Sequence, residues 1–322
     1  MQAARPLGGT GELPVSGGHR EAEPGLGAIV HGEQRAAFEV PQELAGERID
    51  KVIAACVESL SRGRARKLLG QGAVFHGRTR CRVASRPVRV GDKITVTWRE
   101  GAAVNLETEL SVVFEDDHFA VIHKPAGQHT QGTALGDQGT VVRLAQRRFG
   151  PAAQVAHRLD APTSGLLLVT KTVEAADAAR PLVQEHALDR RYLALCAGAP
   201  PAGLCDRRLE RRGRRTVVVD GEEGKSARTW FEVLHAHEGR SLVHARLETG
   251  RTHQVRVHLS SLACPILGDR LYEGPRADRL ALHAWRLGLD HPMTGARHDW
   301  RLDPDEAFWR AAGWEPYKLG ED

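Results

Sequence analysis

His-Arg-Leu-Asp-Ala-Pro-Thr-Ser-Gly-Leu-Leu-Leu-Val-Thr-Lys occupies residues 157–171 and sets the first expectation about the fold. A turn dense in Pro, Thr, Ser and Gly at 161–165 runs directly into an apolar block at 166–169. That is the pattern of a rigid, buried strand reached through a tight loop. Asp160 stands at the head of the turn. An acid there can project into a cleft beside the strand. It can also close an Asx-type turn by accepting from nearby backbone N–H groups, and pattern alone favours the turn.

Similar apolar, β-type runs recur at 110–114, 119–122, 192–196, 230–234 and 242–247. Helical patterns lie at 140–148, at 173–186 with Pro181 inside it, and at 252–263. Strands and helices do not alternate regularly, so a doubly wound parallel sheet is disfavoured and an α+β domain with a mixed, largely antiparallel sheet is expected over 108–315. Pro181 is expected to kink its helix. Upstream, residues 38–99 predict a small α/β module: a helix at 47–58, a second at 62–69 with Ser61 as N-cap, then short strands ending at 92–98. Residues 1–37 hold eight glycines, three prolines and no sustained periodicity, which predicts a flexible tail.

The 322 residues suit about two domains. No apolar run approaches the ~18 residues that span a bilayer, and no secretory leader is visible. Five scattered cysteines without a C-x-x-C pair exclude a disulfide scaffold or zinc ribbon. A cytoplasmic, monomeric protein is expected. The net charge of +4 is unevenly placed: residues 1–40 carry −2, 41–100 carry +7 and 101–322 carry −1. Arg62, Arg64, Arg66 and Lys67 crowd one helix start within the positive segment. Charge runs are usually solvated faces, but this one has few compensating carboxylates, so phosphate contact is the stronger reading. Of the 45 basic residues 38 are arginine. Most of that excess is ascribed to base composition of the gene rather than to function.

Nucleotide-binding glycine loops and the G-x-S-x-G elbow are absent from the sequence. His253 and His258 are five apart, which is no helical pair and no familiar ligand spacing, so no metal site is expected. Arg256 has an apolar neighbour on each side and is costly to bury alone; it should find a carboxylate.

Taken together, "HRLDAPTSGLLLVTK", "RRYLAL" at 190–195 and "ETGRTHQVRVHLSSLACPILGD" at 248–269 closely resemble the RluA-type family of RNA pseudouridine synthases. "HKPAG" at 123–127 and "LALHAWRL" at 280–287 support the likeness, in the family's order. Residues 45–98, with "SRGRARKLLGQGAVFHG" and "VRVGDKITV", resemble the S4-like RNA-binding module. The resemblance implies isomerisation of uridine in structured RNA: ribosomal RNA of the large subunit first, tRNA as the alternative within the family. A non-catalytic ribosome-assembly factor is the alternative outside it. Asp160 matches the family's essential aspartate, acting on the ribose either as nucleophile or as base. Arg256 matches the arginine expected to keep it ionised. Tyr192 matches the tyrosine that stacks on the detached uracil and helps deprotonate the base carbon, and Arg158 the arginine that fills the RNA stack. Arg62, Arg64, Arg66 and Lys67 match the module's RNA-binding positions. No cofactor is implied, because the uracil is retained. His123, where the family usually has Asn, and Pro181 depart from the pattern without touching these residues. Lys124, His157 and Arg251 are read as structural or phosphate-contacting.

Overall fold

The protein's structure, a computed structural model, describes residues 33–99 and 109–320. Residues 1–32 of the expected tail and the short linker expected after residue 99, up to 107, lie outside the described residues.

The first unit comprises β1 (Glu33–Glu39), α1 (Ile49–Cys56), α2 (Arg62–Gln71), β2 (Val74–His76), β3 (Thr79–Cys81) and β4 (Lys93–Arg99), with an antiparallel sheet in the order β1-β4-β2-β3. Ser61 caps α2, its hydroxyl accepting from the Arg64 N–H at 3.2 Å, and Gly72 ends the helix at φ 75°. Both follow from sequence: a hydroxyl takes up an orphan N–H, and only glycine adopts the left-handed stop without strain. Ile49, Val52, Ile53, Leu69, Ile94 and Val96 form the core. β1 overlaps the segment expected as tail. It is ordered by pairing all seven residues with β4, a non-local ladder that composition does not signal.

The second unit comprises β5 (Ser111–Glu115), β6 (Phe119–Lys124), α3 (Val141–Phe149), β7 (Gln154–Val155), β8 (Ser164–Thr170), α4 (Val173–Gln184), β9 (Asp189–Ala197), β10 (Gly203–Asp206), β11 (Arg208–Arg212), β12 (Arg215–Val219), β13 (Arg228–His237), β14 (Arg240–Leu247), α5 (Gln254–Ser261), β15 (Leu282–Asp290), β16 (Arg297–Arg301) and α6 (Glu306–Arg310). Its main sheet runs β10-β13-β14-β9-β15-β8-β6-β5, with β16 on β15 and β7 on β8. The mixed, mostly antiparallel sheet is the one expected. β11 and β12 form a separate two-stranded hairpin. β11, β15 and β16 do not stand out in the sequence because charged residues, histidine or glycine interrupt their apolar runs, whereas the short run Thr216–Val219 of β12 is β-prone yet is not among the expected strands. α4 continues through Pro181 to Gln184, giving up one internal hydrogen bond.

Among the described strands, β8 and β15 form the one parallel pair, Ser164 opposite His283 and Gly165 opposite Ala284. Gly165 has φ 117°, and a Cβ there would collide with the Ala284 backbone, so glycine is required where the two halves of the sheet meet. The Ser164 hydroxyl shares a 2.8 Å hydrogen bond with His283 Nδ1 and accepts from Arg279 Nη2 at 2.5 Å. The two units also touch. Gln138 Nε2 donates to the Gly70 carbonyl at 2.9 Å, Asp137 N–H to the Gln71 carbonyl at 3.2 Å, and Arg82 pairs with Asp137.

Candidate active site

Asp160 lies at the end of the loop that feeds β8. Its main chain closes the turn, the carbonyl accepting from Thr163 N–H at 3.1 Å. Its carboxylate does something else: Oδ2 accepts from Arg256 Nη1 at 2.9 Å. The Asx turn favoured by pattern alone is therefore not what the side chain forms. The loop is pinned from below by Lys124. Its fully buried Nζ donates to the carbonyls of Pro125, Gln128 and Ala161 at 3.0, 2.8 and 3.0 Å. Burial pushes the Lys124 ammonium down to about 7, against the pull of the Asp160 charge. Three carbonyl acceptors match the three donors of an ammonium, so geometry favours its charged form. Thr130 holds the other side: its hydroxyl donates to the Leu159 carbonyl at 2.7 Å.

Arg256 projects from α5, and the carboxylate it was expected to find is two carboxylates. Besides Asp160, Asp269 takes it in a forked pair, Nε to Oδ2 at 2.7 Å and Nη2 to Oδ1 at 2.8 Å. Burial works against the Arg256 charge, but the hydrogen bonds and charge of Asp269, reinforced by Asp160, outweigh it and raise its pKa. A planar fork held along one edge presents its remaining nitrogen in a fixed direction. The Tyr272 ring lies against the guanidinium, 5.1 Å from Cζ to the ring centre. α5 begins at His253 in the left-handed region, φ 58°. Its Nδ1 is 2.8 Å from the Tyr272 hydroxyl and its Nε2 is 3.7 Å from Asp160 Oδ2, too long for a hydrogen bond. Burial pushes His253 down, and Arg256 and Arg211 add to that against the carboxylates Asp160 and Asp269. The turn before α5 is tied by Gln254, whose Oε1 accepts from the Thr249 hydroxyl at 2.8 Å and Arg251 N–H at 2.9 Å.

Tyr192 comes from β9 and is 7% exposed. Burial pushes its phenol up to about 12, Arg190 opposing and Asp160 adding to the shift. It is a neutral phenol at ordinary pH. The cleft that unites Arg158, Asp160, Tyr192, Arg251, His253 and Arg256 encloses about 60 Å³. Small-molecule sites run from ~300 Å³, so only one edge of a larger substrate enters. A roomier hollow of about 350 Å³ between α4 and β7–β8 is lined chiefly by Ala156, Ala176, Ala179 and Val183. It lacks this convergence of acid, base and cation. Arg158 is exposed beside the cleft. His157 is turned inward, accepting from Leu168 N–H at 3.3 Å, and burial pushes it down to about 3. Among the described residues no group of three or more His, Cys, Asp or Glu side chains could hold a metal ion.

The structure thus brings together Asp160, Tyr192, Arg256 and Arg158. Arg62, Arg64, Arg66 and Lys67 are in the first unit. There Asp50, sealed from solvent, gathers Arg48 at 3.1 Å, Arg62 at 3.2 Å and Arg66 at 2.6 Å. Burial pushes the Asp50 carboxyl up, but hydrogen bonds from the three arginines hold it well below the ordinary carboxylate range. Arg62, Arg66 and Lys67 remain exposed, whereas Arg64 Nη2 donates to the Arg99 carbonyl at 3.0 Å. Sequence reasoning missed Asp269 and Asp50. No local signal announces either: Asp269 lies thirteen residues from Arg256, and Asp50 lies twelve and sixteen residues from Arg62 and Arg66.

Comparison with known proteins points to one family. Residues 118–261 match the family model described as RNA pseudouridylate synthase. A protein of Nitrosomonas europaea named ribosomal large subunit pseudouridine synthase D is 35% identical over 87% of this chain and 88% of its own length. Its namesake in Pseudomonas aeruginosa is 34% identical over 86% and 94%. An uncharacterized RNA pseudouridine synthase of Chloroflexus aurantiacus is 37% identical over 83% and 89%. Among solved structures, human RNA pseudouridylate synthase domain containing 1 superposes with a TM-score of 0.54 at 26% identity, over 69% of this chain and 94% of that one. With relatives this similar over nearly their whole length and a matching fold, the chain belongs to the RNA pseudouridine synthases of the RluA type and is an enzyme of that class.

Proposed function

We propose that this synthase converts specific uridines of large-subunit ribosomal RNA to pseudouridine, with Asp160 acting directly on the ribose. The observation that carries the reading is the Asp160 carboxylate, aimed into the cleft by Arg256 at 2.9 Å beside the Tyr192 ring. The names of the relatives point to the large subunit.

In the reaction the bond from the anomeric carbon to N1 of uracil breaks. The base turns, the same carbon bonds to C5, C5 loses its proton and N1 gains one. Asp160 serves this either by attacking the anomeric carbon or by removing the 2′ proton. Both need an ionised carboxylate, and the Arg256 guanidinium lies against it at 2.9 Å. Tyr192 offers a flat, buried surface for the freed base. Reaching the anomeric carbon requires extruding the nucleotide, and exposed Arg158 is placed to take its position in the stack. Arg62, Arg66 and Lys67 on α2 grip structured RNA in an S4-like manner, with Arg64 tied to the backbone. The enzyme works as a monomer in the cytoplasm, where ribosomes are assembled.

Incubation of the protein with large-subunit ribosomal RNA and with tRNA, followed by pseudouridine mapping, tests this. New pseudouridine in the ribosomal RNA is expected. Product in tRNA alone moves the substrate class, and none in either refutes the activity. Asp160→Asn should lower turnover by about 10⁴-fold or more while RNA binding persists; an active variant removes Asp160 from the chemistry.

A further inference from the structure

A loop of the second unit, residues 128–140, lies between the end of α2 and the turn that carries Asp160, and it is fastened to both. We infer that this loop makes α2 a rigid spacer between the RNA it grips and Asp160, with Arg82 and Asp137 as positioning residues that select which uridine reaches the cleft. The inference deepens the proposed action on ribosomal RNA and rests on it.

On the side of the first unit the contacts are polar and close. Gln138 Nε2 donates to the Gly70 carbonyl at 2.9 Å, and Asp137 N–H to the Gln71 carbonyl at 3.2 Å. Arg82 pairs with the Asp137 carboxylate, and Arg80 donates to the carbonyls of Gly72 and, at 2.9 Å, Thr133. The Asp137 side chain is 17% exposed and that of Arg82 30%, so the pair is better sheltered than the surface pairs that contribute little. The backbones also approach as only glycine allows. A Cβ at Gly136 would lie 2.6 Å from the Gln71 carbonyl oxygen, and one at Gly132 would lie 2.9 Å from Arg80 Nη2. A fit this tight belongs to a built interface, not to two units in passing contact.

The other end of the loop holds the catalytic turn on both sides of Asp160. The Thr130 hydroxyl donates to the Leu159 carbonyl at 2.7 Å and accepts from Leu159 N–H at 3.2 Å. Lys124 Nζ ties the Gln128 carbonyl to the Ala161 carbonyl, at 2.8 and 3.0 Å. Between its ends the loop is braced. Thr133 and Gly136 exchange backbone hydrogen bonds at 2.8 and 3.2 Å, Gln128 Nε2 donates to the Gly139 carbonyl at 2.9 Å, and the Thr140 hydroxyl caps α3. α2 completes the linkage. Its ten residues make a rod of ~15 Å, with Arg62, Arg66 and Lys67 toward its start and Gly70, Gln71 and Gly72 clasped at its end. A rigid rod turns a grip on phosphates into a fixed offset from the cleft. A module on a loose tether would raise only the local concentration of RNA.

The test uses Arg82→Ala, Asp137→Ala and the double variant of the full chain, with folding checked by circular dichroism. Two RNAs are compared: a large-subunit ribosomal RNA transcript, and a stem-loop carrying the same target uridine but too short to reach α2. Turnover on the transcript should fall by about 10²-fold, the cost of a misplacement near 1 Å, with KM little changed because the α2 arginines are intact. Turnover on the stem-loop should match the parent's. The double variant should be no worse than either single one, as for two residues that act as a pair. In the parent, hydrogen exchange at the Asp137 amide should be slow before any RNA is added. Unchanged turnover on the transcript in a folded variant overturns the inference. So does an equal loss on both RNAs, which would give the pair a purely structural role, and so does a freely exchanging Asp137 amide in the parent. If Asp137→Ala does not fold, Arg82→Ala alone decides the comparison. Failure of the unmutated chain to make pseudouridine would instead refute the proposed function, and the amide exchange would still report on the clasp.

Discussion

Replacing Asp269 by Asn removes one charge and almost no volume, and the structure says why it should be costly. Oδ1 accepts from Arg256 Nη2 at 2.8 Å and from the N–H groups of Leu271 and Tyr272 at 3.1 and 3.2 Å. Oδ2 accepts from Arg256 Nε at 2.7 Å. Every partner is a donor, so whichever way the asparagine amide is turned, its NH2 faces another N–H. Breaking one side of a buried pair costs about 3–5 kcal/mol. Arg256 keeps Asp160, so the lower end, about 3 kcal/mol, is expected. At roughly 2–4 °C per kcal/mol for a domain of this size, thermal unfolding should fall by about 6–12 °C. Arg256 would also lose the edge that fixes its direction. A misplacement near 1 Å costs about 10²-fold in rate, so single-turnover pseudouridine formation should drop by that order with RNA affinity little changed. A melting temperature within about 1 °C of the parent, together with an unaltered rate, would refute the claim that Asp269 orients Arg256.

Two further outcomes follow from the same reasoning. Asp50 is held below its ordinary pKa by three arginines, so its contribution is complete above the unfolded value of ~3.9 and fades as pH falls below it. A melting series between pH 6 and pH 2 should show the parent losing its advantage over Asp50→Asn toward acid; parallel curves would contradict this. Gly165→Ala should destabilise by well over ~3 kcal/mol, because a Cβ meets the Ala284 backbone at φ 117°; a variant that melts with the parent would mean that β8 and β15 do not meet as described.

Much of this architecture is legible residue by residue. Ser61 and Gly72 bracket α2, and the apolar runs at 119–122 and 165–169 become adjacent strands. The isolation of Arg256 between valines foretells a carboxylate partner. What stays hidden is non-local. Asp50 counts as one negative charge among many until folding sets three guanidinium groups around it. Asp269 lies thirteen residues from Arg256, across a turn whose closure no periodicity announces. Strand β15 is invisible because its neighbours bury it on terms that its own His, Arg and Gly do not suggest.

The parallel pairing of β8 with β15 also sets a clock. Ser164, four residues from Asp160, is fastened to His283 across 119 positions of chain. A ribosome adding ~5–20 residues per second takes roughly 6–24 s to make that interval. Until then the strand behind Asp160 lacks its neighbour, and α5 with Arg256 has no finished wall to lean on. The cleft that holds Asp160 is thus completed only after most of the chain has been made, because Leu282 of β15 is part of its lining. A chain arrested before residue 283 would leave the β15-facing edge of β8 unpaired and Ser164 without its His283 partner.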